Sequence, residues 1–387
     1  MTTTSGGADR PEHTGRPVPT SLRVLLVLGS SAGGVARHVA QIAAALGAPA
    51  PDGLGAMVRV AGPAELAGDL APAGGSVAFD AVPITDRPRA GDAGVVRRLR
   101  TLAAGADVVH AHGLRAGTLA VFAARTLPRA ARPRMVVTLH NLPVGGRRIR
   151  AVSAVLERVV ARGCDVVLGV SGDLVARARA LGAAATERAL VPAPSRPRPV
   201  LDRAAVRRAL GLADDVALVV TVGRLAPQKG LDTLIDAAVE LSSSNLPVLW
   251  VVAGDGPLEA HLTERIALLR APVRLLGRRS DVPDLFAAAE VVASTAIWEG
   301  QPISVQEALQ LGAPIVATDA GGTREVTGDR GAVLVPVGDA AAVAGAIAAL
   351  LADPAARTEL AARARERAGE LPDVSAVVGQ LHRVYLA

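Results

Sequence analysis

A chain of 387 residues, half of them hydrophobic, is long enough for two cored domains. With only 2% aromatic residues, those cores must be built from Ala, Val and Leu. The net charge of +6 favours anionic partners, but the arginines are scattered among 36 acids without stacking aromatics or a concentrated basic face, which argues against nucleic-acid binding.

Residues 1–20 are polar and rich in Gly, Pro and Thr, and read as a disordered leader rather than a signal peptide. No stretch approaches the roughly 18–20 apolar residues of a spanning helix. The single cysteine, Cys164, excludes an internal disulfide framework and fits a reducing cytoplasm, the expected location.

Order begins with the continuous apolar run 22–28, a strand buried on both faces. A turn carrying Gly33 and Gly34 follows, then a helix over 35–46 containing His38. The glycine pair allows close backbone approach to a ligand but is not the spaced dinucleotide fingerprint. Short strands are expected at 56–60 and 77–82. Two further strands, at 107–112 and 134–140, end in His110, His112 and His140. Strand carboxyl ends are where ligands bind in parallel α/β sheets, so four histidines are expected near one sheet edge. Their spacing matches no metal signature.

The basic, glycine-led segment 145–150 precedes a helix over 151–161. It is either a solvated helix start, or a loop for an anionic acceptor or for peripheral contact with the inner face of a membrane. A strand at 165–170, Ser171 as N-cap and a helix over 173–181 follow. Pro192, Pro194, Pro197 and Pro199 then mark an interdomain linker. This divides the chain into residues 21–193, a linker at 194–204, a second domain at 205–372 and a terminal helix from 373. The second domain repeats the βα alternation, with strands at 216–222, 248–253, 273–276, 291–294 and 314–318. The fold class is α/β, two doubly wound Rossmann-like domains facing each other across a cleft.

The chain has one lysine, Lys229, and it lies in Gly223-Arg224-Leu225-Ala226-Pro227-Gln228-Lys229-Gly230, a strand-to-helix turn. Backbone amides, one arginine and that lysine at a helix N-terminus suit a phosphate-bearing ligand, although a glycine-bounded loop with two solvated cations reads equally well. Gly254-Asp255-Gly256-Pro257 forms a second tight turn. A third loop runs from Trp298 through Glu299, Gly300, Gln301, Pro302 and Ile303 to Glu307 and Ala308. If helical throughout, the eight-residue step from Glu299 to Glu307 would separate them by about 12 Å. Such carboxylates accept pairs of sugar hydroxyls, or else one aids a helix dipole and the other is solvated.

Taken in order, the Gly223-Arg224…Lys229-Gly230 loop, Gly254-Asp255-Gly256-Pro257, Glu299-x7-Glu307 and Thr318-Asp319-Ala320-Gly321-Gly322 resemble the retaining glycosyltransferases of family 4, with the GT-B fold. Gly33-Gly34 with His38, and His140-Asn141, match that family's first-domain positions, and the similarity runs from about residue 22 to the end.

The resemblance implies that Arg224 and Lys229 hold the diphosphate of a nucleoside-diphosphate (UDP- or GDP-linked) sugar. Glu307 would bind the ribose, and Glu299 with the amides of Gly300, Gln301, Ile303 and Ser304 the donor sugar. His140 would sit near the reacting carbon, Gly33 and Gly34 would face the diphosphate, and Arg278 would lie near the base. The implied reaction is sugar transfer to an acceptor hydroxyl with retention. No cofactor beyond the donor and no metal are expected, since no Asp-x-Asp pair is present. Gln301 replaces a frequent bulky apolar residue. The last helix, 374–385, is expected to pack back on the first domain. A sugar-nucleotide epimerase of the same fold and a non-catalytic nucleotide-sugar-binding protein are the alternatives.

Overall fold

The computed structural model describes residues 21–30, 34–50, 53–72, 75–85, 87–142, 146–193, 198–243 and 246–387. The leader at 1–20, Gly33, Gly145 and linker residues 194–197 lie outside them.

Two parallel sheets organise the chain. The first has seven strands: β1 Arg23–Leu28, β2 Met57–Gly62, β3 Ala78–Ala81, β4 Val108–His112, β5 Arg134–Leu139, β6 Val166–Gly169 and β7 Thr186–Arg188, in the order β3-β2-β1-β4-β5-β6-β7. The second has six: β8 Ala217–Val222, β9 Val248–Ala253, β10 Val273–Gly277, β11 Val291–Ser294, β12 Ile315–Thr318 and β13 Val333–Val335, in the order β10-β9-β8-β11-β12-β13. Every pairing is parallel. That explains the unalternating apolar runs: β4 is buried at all five positions because helices cover both faces. Strand order reverses at β1/β4 and at β8/β11, and a doubly wound sheet opens a ligand crevice beyond the carboxyl ends at such a switch point.

Three local expectations need correction. Edge strands β7 and β13 were not legible, because three residues are too few to form an apolar run and β7 reads Thr-Glu-Arg. The helix after β5 is Arg147–Gly163, which starts before the expected residue 151, so of the two readings of 145–150 the helix start holds and the arginines at 147, 148 and 150 lie on it. Ser171 occupies an N-cap position, but its hydroxyl donates to Asp173 Oδ1 at 2.5 Å instead of capping an amide. Cys164 lies between that helix and β6, with its thiol pushed up to about 12 by burial, which makes it inert.

The last helix, Val374–Leu386, packs on the first sheet, with Val377, Leu381, Val384 and Tyr385 in that domain's core. Burying each such side chain contributes about 1.5–3 kcal/mol. Polar contacts fix its register: Gln380 accepts from Leu190 N at 2.8 Å and donates to Arg188 O at 2.7 Å, and Arg134 Nε donates to Val384 O at 2.6 Å.

Candidate functional site

The lysine turn leaves the carboxyl end of β8 and is shaped by backbone-on-backbone packing. Gly230 has φ +61°, and a Cβ there would stand 2.0 Å from Thr295 O, so only glycine fits between the turn and the loop after β11. Gly254 approaches Gly223 O so closely that a Cβ would come within 1.9 Å. The Gly254-Asp255-Gly256 turn is therefore a brace for the lysine turn: Leu225 N donates to Asp255 O at 2.8 Å, and Leu258 N to Leu225 O at 3.1 Å. Thr295 Oγ1 donates to Lys229 O at 3.1 Å and Ile297 N to Gln228 O at 2.8 Å, tying the β8 and β11 loops together. The Lys229 ammonium consequently pairs with the Glu299 carboxylate, both side chains being mostly buried at 21% and 14% exposure. Arg224 is exposed on the same turn. Arg278 is at the rim, bonded to Asp255 Oδ2 at 3.1 Å.

The helix Ile303–Leu311 starts four residues after Glu299, so helical rise does not set the spacing of Glu299 and Glu307. Its first turn faces the other domain: a Cβ on Gly34 would stand 2.7 Å from Ile303 Cδ1. Glu307, one turn further on, lies 3.9 Å from Arg37 Nη1, a guanidinium from the first domain's opening helix. Burial raises the Glu307 carboxyl above its ordinary value, and Arg37 works against that. Arg37 carried no signal in the sequence, because only the cleft brings residues 37 and 307 together.

The four first-domain histidines do converge. Ring centroids of His38 and His140 are 5.5 Å apart, those of His112 and His140 5.4 Å and those of His110 and His112 4.3 Å. Their roles divide. His110 is bonded on both nitrogens, to Tyr385 Oη and Thr138 Oγ1 at 2.7 Å each, so it joins the last helix to the sheet. His112 Nδ1 meets His140 Nε2 at 3.1 Å, whereas His38 Nδ1 and His112 Nε2 are buried without a hydrogen-bond partner among the described residues. Ligand nitrogens of His38, His112 and His140 lie within 4.8 Å of one another, close enough to share a cation. Burial depresses all four rings, His38 to about 4 and His110 to about 3, the other two well below the usual range.

A pH dependence of stability follows. These rings are neutral when folded but take up protons near pH 6.5 when unfolded, so the unfolded state binds more protons below that pH. Stability is fully present above pH 6.5 and is lost as pH falls towards 4. At pH 5 the loss is about 2 kcal/mol for each of His38 and His110. Urea unfolding at pH 7 and pH 5 measures it, and equal stabilities would contradict neutral burial.

Across the domain seam, Gly300 sits so near His140 O that a Cβ would stand 2.7 Å away, and a Cβ on Gly322 would meet Gly300 O at 2.0 Å and Ser171 Cβ at 3.1 Å. Trp298 Nε1 donates to Asp173 Oδ2 at 2.7 Å, and Glu325 accepts from Gly172 N at 2.7 Å and pairs with Arg188 at 2.6 Å. Gln301 turns away towards Val191 O, 3.3 Å from its Nε2. The seam places the loop carrying Glu299 against the strand end carrying His140. Lys229, Glu299, Gly300 and His140 are thus brought together, Gly34, Ile303 and Glu307 line the adjacent cleft, and Arg278 is held by Asp255 on the turn that braces the lysine turn.

Known proteins share this fold. The family model described as "Glycosyl transferase 4-like domain" matches residues 33–194, and that described as "Glycosyl transferases group 1" matches residues 202–367. The chain belongs to the group 1 glycosyltransferases. Among curated group 1 relatives, it is 33% identical over 192 residues to an alpha-D-kanosaminyltransferase of Streptomyces kanamyceticus, covering 47% of this chain and 48% of that one. It is also 33% identical over 192 residues to a D-inositol 3-phosphate glycosyltransferase of Kineococcus radiotolerans, covering 44% of each. The chain spans about half the length of the curated relatives it matches. In fold, it superposes on Anabaena HepE, solved in complex with UDP-glucose, with a TM-score of 0.76 at 23% identity over 94% of this chain and 98% of that one. Sucrose-phosphate synthase from Thermosynechococcus elongatus gives 0.73 at 21% identity, again over 94% and 98%. The GT-B fold of this group 1 member is two parallel-sheet Rossmann-like domains.

Proposed function

We propose that this protein is a retaining, metal-independent glycosyltransferase that moves a sugar from a UDP- or GDP-linked donor to an acceptor hydroxyl. The observation that carries the reading is the meeting of Lys229 and Glu299 beside the seam where Gly300 abuts His140. A donor would insert its diphosphate at Lys229 and its sugar hydroxyls at Glu299, replacing the ion pair with one interaction for each group. Relatives named as a UDP-Gal-dependent galactosyltransferase and a GDP-mannose-dependent mannosyltransferase support a donor of either base.

In this reading Arg224 and Lys229 stabilise the negative charge that develops on the leaving diphosphate, the largest electrostatic contribution available in such a site. The bond between the anomeric carbon and the phosphate oxygen breaks with its electron pair going to the phosphate. The acceptor oxygen bonds to the same face of that carbon, and its proton passes to the leaving phosphate. Neutral His140, held by His112, hydrogen-bonds the sugar without adding a positive charge next to the electron-poor anomeric carbon. Glu307 binds the ribose hydroxyls.

Screening UDP-, GDP- and ADP-sugars for hydrolysis, with the anomeric configuration of the product sugar or glycoside read by NMR, tests the reading. An axial donor giving an axial glycoside is expected, and inversion refutes retention. Turnover should be unchanged after exhaustive treatment with EDTA. Activity lost to the chelator and restored by Zn²⁺ would instead make His38, His112 and His140 a working metal site.

A further inference from the structure

The helix Arg147–Gly163 extends beyond the body of the first domain. Its second half packs on the neighbouring helix Leu114–Arg125, where a Cβ on Gly117 would stand 3.2 Å from Val160 Cγ2 and one on Gly163 would stand 2.4 Å from Val121 Cγ1. That register aligns Leu114 with about residue 157. The first ten or so residues of the longer helix therefore run ahead of its neighbour by roughly 15 Å. They emerge at the carboxyl edge of β5, the edge that carries His140, and residues 147–152 are all exposed.

This overhang is apolar and cationic together. Ile149, Val152 and Val155 are 50%, 47% and 59% exposed and, at spacings of three, lie along one side of the helix. Arg147, Arg148 and Arg158 are exposed around them. The helix contains a single acid, Glu157, which is buried and neutralised by Arg177 at 2.6 Å, so the helix itself presents no exposed carboxylate beside its arginines. A soluble anion would account for the arginines but leaves three aliphatic side chains in water. A neutral apolar partner would account for the aliphatics but leaves the arginines without purpose. A bilayer rich in anionic headgroups satisfies both, with the aliphatics at the acyl boundary and the guanidiniums among phosphates.

We propose that the overhanging turns of this helix bind an anionic lipid surface and so set the cleft, with its His140 edge, against headgroups. No single helix among the described residues is long and apolar enough to cross a membrane, so the contact is one that lies on the bilayer.

Vesicle flotation tests this without any donor, so its outcome is independent of the proposed enzymatic activity. The full-length chain should float with phosphatidylcholine vesicles containing 30% phosphatidylglycerol, and much less with pure phosphatidylcholine. The triple variant Arg147→Gln/Arg148→Gln/Arg158→Gln should lower partitioning about fivefold per charge, on the order of a hundredfold in all. The triple variant Ile149→Ser/Val152→Ser/Val155→Ser should lower it by about tenfold or more. These side chains are exposed, so thermal melts should match the wild type; if a triple variant melts early, its single substitutions are floated instead. Absence of flotation with anionic vesicles overturns the proposal. So does flotation unmoved by the arginine changes, or flotation that the arginine changes abolish and the serine changes leave intact, which is the behaviour of a purely electrostatic contact with any polyanion.

Discussion

Replacing Lys229 with alanine should lower kcat/KM for the nucleotide-sugar donor by about a hundredfold to a thousandfold while leaving the fold intact. The magnitude is what one preorganised donor to a developing oxyanion contributes in other enzymes, about 2.7–4 kcal/mol. The ammonium is held by its backbone: Lys229 O accepts from Thr295 Oγ1, and Gly230 beside it adopts a left-handed conformation pressed on Thr295 O. The loss should therefore fall on charge stabilisation and not on loop shape. Truncation also leaves the mostly buried Glu299 carboxylate without its cation, so Lys229→Arg is the informative companion. Arginine restores the charge but spreads it over a planar fork, and should recover part of the rate. Equal kcat/KM for wild type and Lys229→Ala, with melts unchanged, would remove the lysine turn from the reaction.

Glu307→Ala should act differently, raising the donor KM by roughly 10- to 150-fold with a smaller change in kcat, as expected for a loss of 1.5–3 kcal/mol in hydrogen bonds to a charged group. The ribose is remote from the breaking bond, so its hydroxyls contribute nearly equally before and during reaction. Burial raises the Glu307 carboxyl, so the anion is lost at higher pH than for an ordinary glutamate, and donor KM should climb on mild acidification in the wild type but not in Glu307→Ala. Steady-state kinetics over pH 5–8 reads both effects. Should Glu307→Ala reduce kcat and leave KM untouched, a ribose-binding role is wrong.

The fold was legible because parallel strands covered on both faces spell uninterrupted apolar runs, and glycine and proline punctuate their ends. β8, β9 and β11 fall within a residue of the runs that announced them. What failed was short or polar: β7 is held as an edge strand by the ladder to β6 and carries no apolar signature. The first turn of Arg147–Gly163 was hidden by glycines that look like a loop. In the site, Lys229 stood out as the only lysine and Glu299 by its spacing from Glu307, yet the bond between Lys229 and Glu299 depends on β8 and β11 being neighbours, which no local pattern encodes. Arg37 opposite Glu307, Trp298 on Asp173 and Tyr385 on His110 join residues up to 275 positions apart, and for these the sequence carries residue types without partners. Gln301 illustrates the converse, a residue correctly placed in its loop whose side chain serves the seam with Val191.

Because Lys229 is the only lysine, an amine-specific reagent used on the wild-type chain reports on this one side chain against any α-amino group as internal control. Mass spectrometry of the labelled chain, titrated with UDP and GDP, then measures whether the turn at Gly223–Gly230 holds a nucleoside diphosphate. One of the two nucleotides should saturably slow labelling of Lys229 and leave the α-amino group unaffected. Labelling of Lys229 at an unchanged rate under saturating concentrations of both would contradict the account at its centre.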